Sequence, residues 1–379
     1  MSQVDAKLRA WWSHKQGLDG RLAGKSAAEV LAETGWQRSV GGASPYLALF
    51  ARAGLRRAEV DAALAAVEIH ELPSARGCTY ILPASDFALG LGAGQGFSAE
   101  PEMKVAMKLG VTGEEVAVLR KAVLSALEDG PLDPDALRAA VGSATRSLGP
   151  EGTKKGISST LPLALGYLQE TGEIRRIPVN GRIDQQRYKY ALWGLKPQDD
   201  DQVYIDLARH FFAWSGPATE AEFRTFSSLG VKAAKAAMAP LGLEPVEGGL
   251  ILPGDRAEYE AFEVPRSPAY SLIGSIDNLI QPRGDYAALL GPDDQHRAKG
   301  AKGHAIVDRG RVVGFWEYDT ATETIVWMAF GKPDQALSDA VARTEAFIRE
   351  DLGDARSFSL DSPKSREPKI AAIRQGTLA

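Results

Sequence analysis

Three stretches of this sequence share one order of helical and strand-like segments, and this weak internal repeat constrains the fold more than any single motif. Each stretch opens with the pattern of an amphipathic helix. The three predicted helices cover residues 4–16, 114–128 and 201–214. Start signals for a second helix follow, and they are the Ser26–Glu29 capping box, the Asp133 N-cap before Pro134, and the Thr219–Glu222 capping box. β-rich segments close the stretches at residues 78–83, 188–193 and 249–253.

The middle stretch carries the fullest form of the pattern. Residues 158–168 predict a third helix of the recognition type, and Arg175 and Arg176 lie on the β-rich segment that follows it. Asn180-Gly181 is a strong hairpin-turn signal, so this segment predicts a basic wing. Helix, turn, helix, further helix and hairpin is the order of a winged helix, and we predict three such modules in tandem. Three unrelated helical bundles are the alternative, which strands at matching places disfavour.

Beyond Pro265 the sequence changes character. Strand patterns flank the turn at 308–311 and recur at 324–330, an amphipathic helix is predicted over 333–352, and a polar tail from Ser357 is expected on the surface. We therefore predict an α+β fold, mainly α, in which three modules precede a C-terminal α+β cap. The predicted domains are residues 1–110 with the Gln37 motif, 111–198 with the basic wing, 199–265 as the third module, and 266–379 as the extension.

Composition excludes several classes of protein. Hydrophobic residues make up 44% of the 379 positions, and no apolar run approaches the roughly 18 residues that a membrane span requires. The N-terminus is charged where a signal peptide is apolar, and the single cysteine, Cys78, leaves no intramolecular disulfide. We expect a cytoplasmic protein, and a monomer.

Two kinds of bound group are not expected. The five histidines show no metal-ligand spacing, and one cysteine excludes a zinc-finger set, so no metal is predicted. The alternating glycines from Gly90 to Gly96 lack the flanking strand and helix of a dinucleotide site. We interpret them as a flexible loop and predict no nucleotide cofactor.

Charge is unevenly distributed along the chain. The formal net charge of -5 argues mildly against nucleic-acid binding. Residues 34–57, however, contain four basic and no acidic side chains, and residues 143–189 contain eight basic and four acidic ones. Such segregation fits one basic face on an acidic body, although a solvated surface gives the same pattern. The candidate contacts to DNA phosphates are Arg38, Arg76, Lys154, Lys155, Arg175, Arg176, Arg182 and Arg187.

Several short segments, in their order and spacing, resemble one known family. They are Gln37 followed by residues 44–52, Arg76-Gly77-Cys78-Thr79, Gly216-Pro217-Ala218-Thr219, the run from Ser275 to Arg283, and residues 310–316. The chain resembles the winged-helix DNA glycosylases typified by AlkZ and YcaQ, which remove bulky alkylated bases. The resemblance covers nearly the whole chain, and it implies three winged helices arranged as a C around duplex DNA. It also implies a place at the bacterial nucleoid.

The family signature is Gln-x-Gln or Gln-x-Asp near the end of the first module's second helix, and here that place holds Gln37-Arg38-Ser39. An alkylated purine is cationic and leaves as a neutral base, so the enzyme must mainly place a water and stabilise an oxocarbenium-like sugar. The resemblance implies that Gln37 positions the water and that Ser39 completes its shell. A role at the end of a helix is the alternative for both. Asp277 is a candidate base or cation stabiliser, against a helix cap or salt bridge.

Three functions follow from these observations. The first is a monofunctional DNA glycosylase for N7- or N3-alkylated purines, including bulky or crosslinked ones, that leaves an uncut abasic site because no lysine nucleophile is near Gln37. The second is a non-catalytic DNA-binding protein, either a regulator or a lesion binder, because winged helices more often bind than catalyse. The third is a protein-interaction array, which the net negative charge favours and the basic middle wing disfavours.

Overall fold

The N-terminal part of the chain builds a small antiparallel sheet between helices. The computed structural model describes residues 5–97, 99–199, 201–297 and 303–377. The first elements are α1 (Ala6–Lys15), α2 (Ala27–Thr34), β1 (Gln37–Arg38), α3 (Ser44–Ala53), α4 (Arg57–Ala65), β2 (Ile69–Pro73) and β3 (Thr79–Pro83). The Ser26–Glu29 capping box starts α2 as predicted. The helix predicted at 4–16 is observed as α1 with Asp5 as N-cap, and Val4 lies outside the described residues.

The sheet order is β1-β3-β2, and its register places two side chains of the later site on one face. Gln37 of β1 and Glu71 of β2 both lie opposite Ile81 of β3. Residues directly opposite in paired strands point to the same side of a sheet. Gln37, Ile81 and Glu71 therefore form one row across the three strands.

The middle part of the chain is mainly helical and ends in a hairpin. Its elements are α5 (Phe87–Gly94), α6 (Ala99–Met107), α7 (Gly113–Ala126), α8 (Pro134–Val141), α9 (Gly149–Lys154), α10 (Thr160–Glu170), β4 (Ile174–Pro178) and β5 (Tyr188–Leu192). Asp133 caps α8 as predicted, accepting from the backbone N–H groups of Asp135 and Ala136. The predicted hairpin is observed as β4 and β5, and a turn closes where the Gly181 N–H donates to the Pro178 carbonyl oxygen at 3.1 Å. The strands are not joined by Asn180-Gly181 alone, because Pro178 pairs with Tyr188 and residues 179–187 form a long loop.

The glycines from Gly90 to Gly94 are helical, so the predicted flexible loop is wrong there. They belong to α5, where an added Cβ at Gly92 would clash with the carbonyl oxygen of Gln198 and one at Gly90 with Leu82. The missing side chains let the helix approach its neighbours closely. Sequence spacing did not reveal those neighbours.

A third helical set and a C-terminal sheet complete the fold. The third set is α11 (Val203–Ser215), α12 (Glu220–Ser227), α13 (Val231–Met238), β6 (Glu244–Val246), β7 (Gly249–Ile251) and α14 (Pro253–Ala261). The C-terminal elements are β8 (Tyr270–Ile273), β9 (His304–Asp308), β10 (Arg311–Asp319), β11 (Thr324–Ala329), α15 (Gln335–Phe347) and α16 (Pro363–Arg374). The four strands form an antiparallel sheet of order β11-β10-β9-β8. This mixture of helices and sheets, about half of it helical, confirms the predicted α+β class.

The predicted surface tail is only partly right. Residues 363–374 form α16, whose Arg366, Ile370 and Ile373 are buried. The Arg366 guanidinium lies 3.4 Å from Glu317 of β10. The buried positions of α16 are masked in the sequence by the polar residues between them. A long basic side chain can pack its aliphatic part against the protein while its charge forms an ion pair.

One order of elements recurs three times, with a detail that the sequence did not show. In the second and third copies, the residue before the second helix bridges to the hairpin's second strand: Leu132 pairs with Tyr190, and Ala218 with Leu250. In the first copy β1 pairs with β3 in the same way. The first copy therefore begins at α2, and α1, which we had aligned as its first helix, lies outside the repeat. Gln37 occupies the bridging position of its copy.

The N-terminal and C-terminal parts of the chain share a core. Leu47, Ile81 and Ile183 belong to one buried cluster with residues of the C-terminal sheet and of α15. The indoles of Trp11 and Trp12 on α1 donate to the carbonyl oxygens of Gly216 and Pro217, both at 2.9 Å.

Within the described ranges, no helix is long and apolar enough to cross a membrane.

Candidate functional site

Gln37 lies on a strand, not at the end of a helix as predicted. α2 ends at Thr34, and Gly35, with a φ of 97°, turns the chain into β1. The Gln37 side chain is 1% exposed, and its Nε2 donates to the carbonyl oxygen of Ile276 at 3.2 Å. Its Oε1 has no hydrogen-bond partner within the described part of the chain. A buried amide oxygen without a partner is costly, so this acceptor is held ready for a donor that the fold does not supply.

Ser39 is tied to the sheet and to a carboxylate that the sequence analysis missed. Its backbone N–H donates to the Thr79 carbonyl oxygen at 3.0 Å, which extends the β1–β3 pairing. Its hydroxyl donates to Glu71 Oε1 at 2.5 Å. Ser39 is 3% exposed and Glu71 5%. A glutamate inside the apolar strand 69–73 was the available signal for this residue.

The second strand pair covers Glu71. An Nη2 atom of Arg176 lies 3.5 Å from Glu71 Oε2, and the Arg176 guanidinium lies 4.6 Å from the centre of the Tyr188 ring. Burial, with the Glu71 carboxylate nearby, raises the pKa of the Tyr188 hydroxyl. The β4–β5 hairpin therefore packs on the face of the first sheet that carries Gln37 and Glu71.

The loop at 179–187 closes over the segment that follows Ser39. Its Ile183 N–H donates to the Tyr46 hydroxyl at 3.2 Å, and Gln186 lies against Gly41, where a Cβ would clash with it. Arg182 pairs with Asp184 and donates to the Leu352 carbonyl oxygen at 3.0 Å. The hairpin that we predicted as a free basic wing is thus docked on its own chain, with Arg176 and Arg182 beside carboxylates.

Asp277 is buried in an ion pair. Its two oxygens accept from Nη1 and Nη2 of Arg52, both at 2.8 Å, and its Oδ1 also accepts from the Leu279 N–H at 2.9 Å. Asp277 is 1% exposed. This geometry favours the salt-bridge and capping alternative. Asp277 therefore serves to hold the turn that carries Ile276.

Arg38 and Arg76 meet at a small cavity on the other face of β1. Successive strand residues point to opposite sides, so Trp36 and Arg38 face away from Gln37. Aromatic side chains form most of the wall: Trp36, Tyr80, Phe211, Trp214 and Phe226. Arg38 Nε has no hydrogen-bond partner among the residues that the structure describes, and Arg76 donates to the Thr225 carbonyl oxygen at 3.1 Å. No ion pair in the described ranges joins either guanidinium to a carboxylate, and Arg76 also contacts the side chains of Cys78 and Tyr80.

The other predicted DNA contacts lie on different elements. Lys154 and Lys155 are exposed at the end of α9, and Lys154 is 2.8 Å from Glu151. Arg187 is exposed in the 179–187 loop, whereas Arg175 is half-buried and its burial lowers its pKa. Of the predicted set, Arg38 and Arg76 line one cavity, on the face of β1 opposite the Gln37 side chain.

Comparisons with known proteins agree with this architecture. A family model described as DNA glycosylase AlkZ-like matches residues 6–349. The DNA glycosylase AlkZ of Streptomyces sahachiroi matches in structure with a TM-score of 0.70 and 21% identity, over 94% of this chain and 98% of that one. No curated protein matches the sequence. The family match spans most of the chain, so the predicted enzyme class is confirmed: the chain belongs to the AlkZ-like DNA glycosylase family, whose reaction is hydrolysis of N-glycosidic bonds in DNA.

Proposed function

We propose that the chain removes alkylated purines from duplex DNA by hydrolysing the N-glycosidic bond, with a water held by Gln37. The observation that carries this proposal is the buried, unpartnered Oε1 of Gln37. A water that donates to this oxygen would be oriented with a lone pair free to attack C1′ of the sugar. Because an N7- or N3-alkylated purine is already a good leaving group, orientation and electrostatic stabilisation are the main tasks of the protein.

We also infer that the three recurring sets of elements are winged-helix modules. The bridging residues support this, because a short strand before the second helix pairs with the hairpin in every copy. The C-shaped arrangement around duplex DNA rests on the family alone. In this arrangement Gln37 lies on the short strand of the first module. It would therefore approach the DNA from a sheet and not from a recognition helix.

Arg38 and Arg76 would bind phosphates beside the attacked sugar. Both guanidinium groups lack a carboxylate partner in the described chain, unlike Arg176 and Arg182. Their shared cavity lies on the face of β1 opposite the Gln37 side chain, so a phosphate held there would anchor the DNA beside the strand that carries Gln37. Such contacts supply affinity without sequence preference, as a repair enzyme needs.

A second function has one observation in its favour. Gln37 and Ser39 are 1% and 3% exposed, so a DNA strand reaches them only when the elements packed around them move. A protein that binds DNA without hydrolysing it needs no such movement. The alternative is therefore a non-catalytic DNA-binding protein that regulates genes or marks lesions.

Base release distinguishes the two. Duplex DNA methylated at N7 of guanine is incubated with the wild type, with Gln37→Ala, and with the control Gln169→Ala, whose amide bonds only within its own helix. We expect N7-methylguanine release by the wild type and the control, and loss of about 100-fold or more in Gln37→Ala. The product should be an uncut abasic site, since Gln37 and Ser39 supply no amine nucleophile. Binding without release, from methylated DNA and from a bulkier adduct, would favour the alternative.

A further inference from the structure

Ser39 and Glu71 form a buried hydroxyl–carboxylate pair in the same row as Gln37. The Ser39 hydroxyl donates to Glu71 Oε1 at 2.5 Å, and Glu71 and Gln37 flank Ile81 from the two neighbouring strands. Two strand spacings separate their backbones by roughly 10 Å. Ser39 follows Gln37 by two positions and bonds to Glu71, so the three side chains share one face of the sheet.

We propose that Glu71 is a positioning residue for the hydrolysis and acts through Ser39. The inference rests on the proposed function above. A serine hydroxyl free to rotate has no fixed acceptor direction, but donation to Glu71 fixes its rotation and turns its lone pairs away from the carboxylate. The attacking water would then be held by two acceptors, Gln37 Oε1 and Ser39 Oγ. The negative charge of Glu71 would also stabilise the positive charge that develops on the sugar.

The competing role for Glu71 is a structural ion pair with Arg176, and the distances favour the pair with Ser39. Arg176 Nη2 lies 3.5 Å from Glu71 Oε2, which is longer than the Ser39–Glu71 bond, and the Tyr188 hydroxyl also faces this carboxylate. The Arg176 guanidinium instead lies over the Tyr188 ring. A carboxylate placed mainly to hold Arg176 would accept from it directly, since charge-assisted bonds of that kind measure about 2.7–2.9 Å.

In the proposed step the water replaces the purine at C1′. The water oxygen forms a bond to C1′ while the C1′–N9 bond breaks, and the electron pair of that bond leaves with the alkylated purine, which becomes neutral. The water gives one proton to Ser39 Oγ, and Ser39 passes its own hydroxyl proton to Glu71 Oε1. The sugar gains a hydroxyl group, Glu71 becomes neutral, and no oxidant or other reactant is needed.

The first test moves the carboxylate from position 71 to position 39. Single-turnover release of N7-methylguanine is measured for the wild type, Glu71→Gln, Ser39→Asp/Glu71→Gln, and Glu170→Gln. Glu170 is a matched control because it is 4% exposed and accepts the Ala99 N–H at 2.8 Å, away from Gln37. We expect Glu71→Gln to lose about 100-fold in rate at unchanged DNA affinity, and the double variant to return to within about tenfold of the wild type. Equal rates for wild type and Glu71→Gln would overturn the role of Glu71, although the proposed function would stand.

The second test reads the charge of Glu71 without turnover. Binding is compared for duplexes that carry a cationic pyrrolidine or a neutral tetrahydrofuran in place of one sugar. We expect the wild type to prefer the cationic duplex and Glu71→Gln to lose about tenfold of that preference, because the buried Glu71 charge would attract the cation. Retention of the full preference by Glu71→Gln would overturn the proposal, even if the wild type released no base from the methylated DNA. A thermal unfolding midpoint for each variant separates these effects from a loss of folding.

Discussion

Arg52 and Asp277 form a two-pronged ion pair in the interior, with both N–O distances at 2.8 Å and side-chain exposures of 2% and 1%. Arg52 lies on α3, and Asp277 lies in the turn after β8. The neighbouring Ile276 is the residue whose carbonyl oxygen accepts the Gln37 amide. The pair therefore fixes, across 225 positions of sequence, the turn on which Gln37 rests.

Removing one partner of this pair should be far worse than removing both. Arg52→Met or Asp277→Leu alone leaves a buried charge without its partner, and we expect each to lower the free energy of unfolding by about 3–5 kcal/mol. The double variant should recover most of that loss, because no charge remains buried. Urea unfolding of the four proteins gives the coupling energy. Additive losses in the double variant would mean that the two side chains act independently.

The Gln37 amide should destabilise the fold, whereas the Gln16 amide should stabilise it. Gln16 is 2% exposed and uses its whole amide: Nε2 donates to the Thr34 and Trp214 carbonyl oxygens at 2.9 Å, and Oε1 accepts from Arg52 at 2.8 Å. Gln16→Met should therefore lose about 3 kcal/mol.

At position 37 the same change removes one hydrogen bond and one unpartnered oxygen. Gln37→Met should then be at least as stable as the wild type while releasing no base, since functional groups are often held at a cost to the fold. Denaturant midpoints for the two variants make the comparison. A Gln37→Met protein as unstable as Gln16→Met would show that the Gln37 amide is structural.

Local chemistry made much of the fold predictable. Ser26, Asp133 and Thr219 cap the helices that their sequences indicated, because the caps bond to backbone within three residues. The Asn180-Gly181 signal misled for the opposite reason. Its loop is shaped by docking Ile183 on Tyr46, a contact between distant parts of the chain that outweighs the preference of a two-residue turn.

The site was predictable only in part. The resemblance indicated Gln37 and Ser39, but the Ser39–Glu71 bond spans 32 positions and arises from a strand register that no local pattern encodes. The predicted phosphate contacts also looked alike in sequence. Only the fold distinguishes the two cases. Arg38 forms no ion pair with a carboxylate in the described ranges, whereas Asp184 neutralises the charge of Arg182.

That separation predicts the salt dependence of DNA binding. Each phosphate contact that is removed should reduce the slope of log affinity against log salt by about 1. We expect this reduction in Arg38→Ala and in Arg76→Ala. Arg182→Ala is the matched control and should keep the wild-type slope, because its guanidinium already pairs with Asp184 and donates to the Leu352 carbonyl oxygen. A reduced slope in Arg182→Ala alone would place the DNA on the hairpin loop and not at the cavity.

His70 should make the fold sensitive to acid. Its ring lies in an aromatic site, 5.0 Å from Trp193 and 6.1 Å from Phe87 between ring centres, and its Nε2 has no hydrogen-bond partner among the described residues. Burial, together with the positive charges of Arg175 and Arg176, lowers the pKa of His70 to about 3. In the unfolded chain a histidine titrates near 6.5. The unfolded state therefore takes up a proton between these two pH values that the folded state refuses, so stability falls as the pH drops below 6.5.

Each pH unit in that window costs about 1.4 kcal/mol per histidine. His70→Phe retains an aromatic ring and removes the proton, so between pH 8 and pH 5 it should lose about 2 kcal/mol less stability than the wild type. His304, whose pKa burial lowers to about 4, contributes with the same sign in both proteins and does not affect the difference. Urea unfolding at the two pH values measures it, with the exposed His296→Phe as the control. If His70→Phe and the control both follow the wild-type dependence, His70 is protonated in the folded protein and its burial does not exclude the proton.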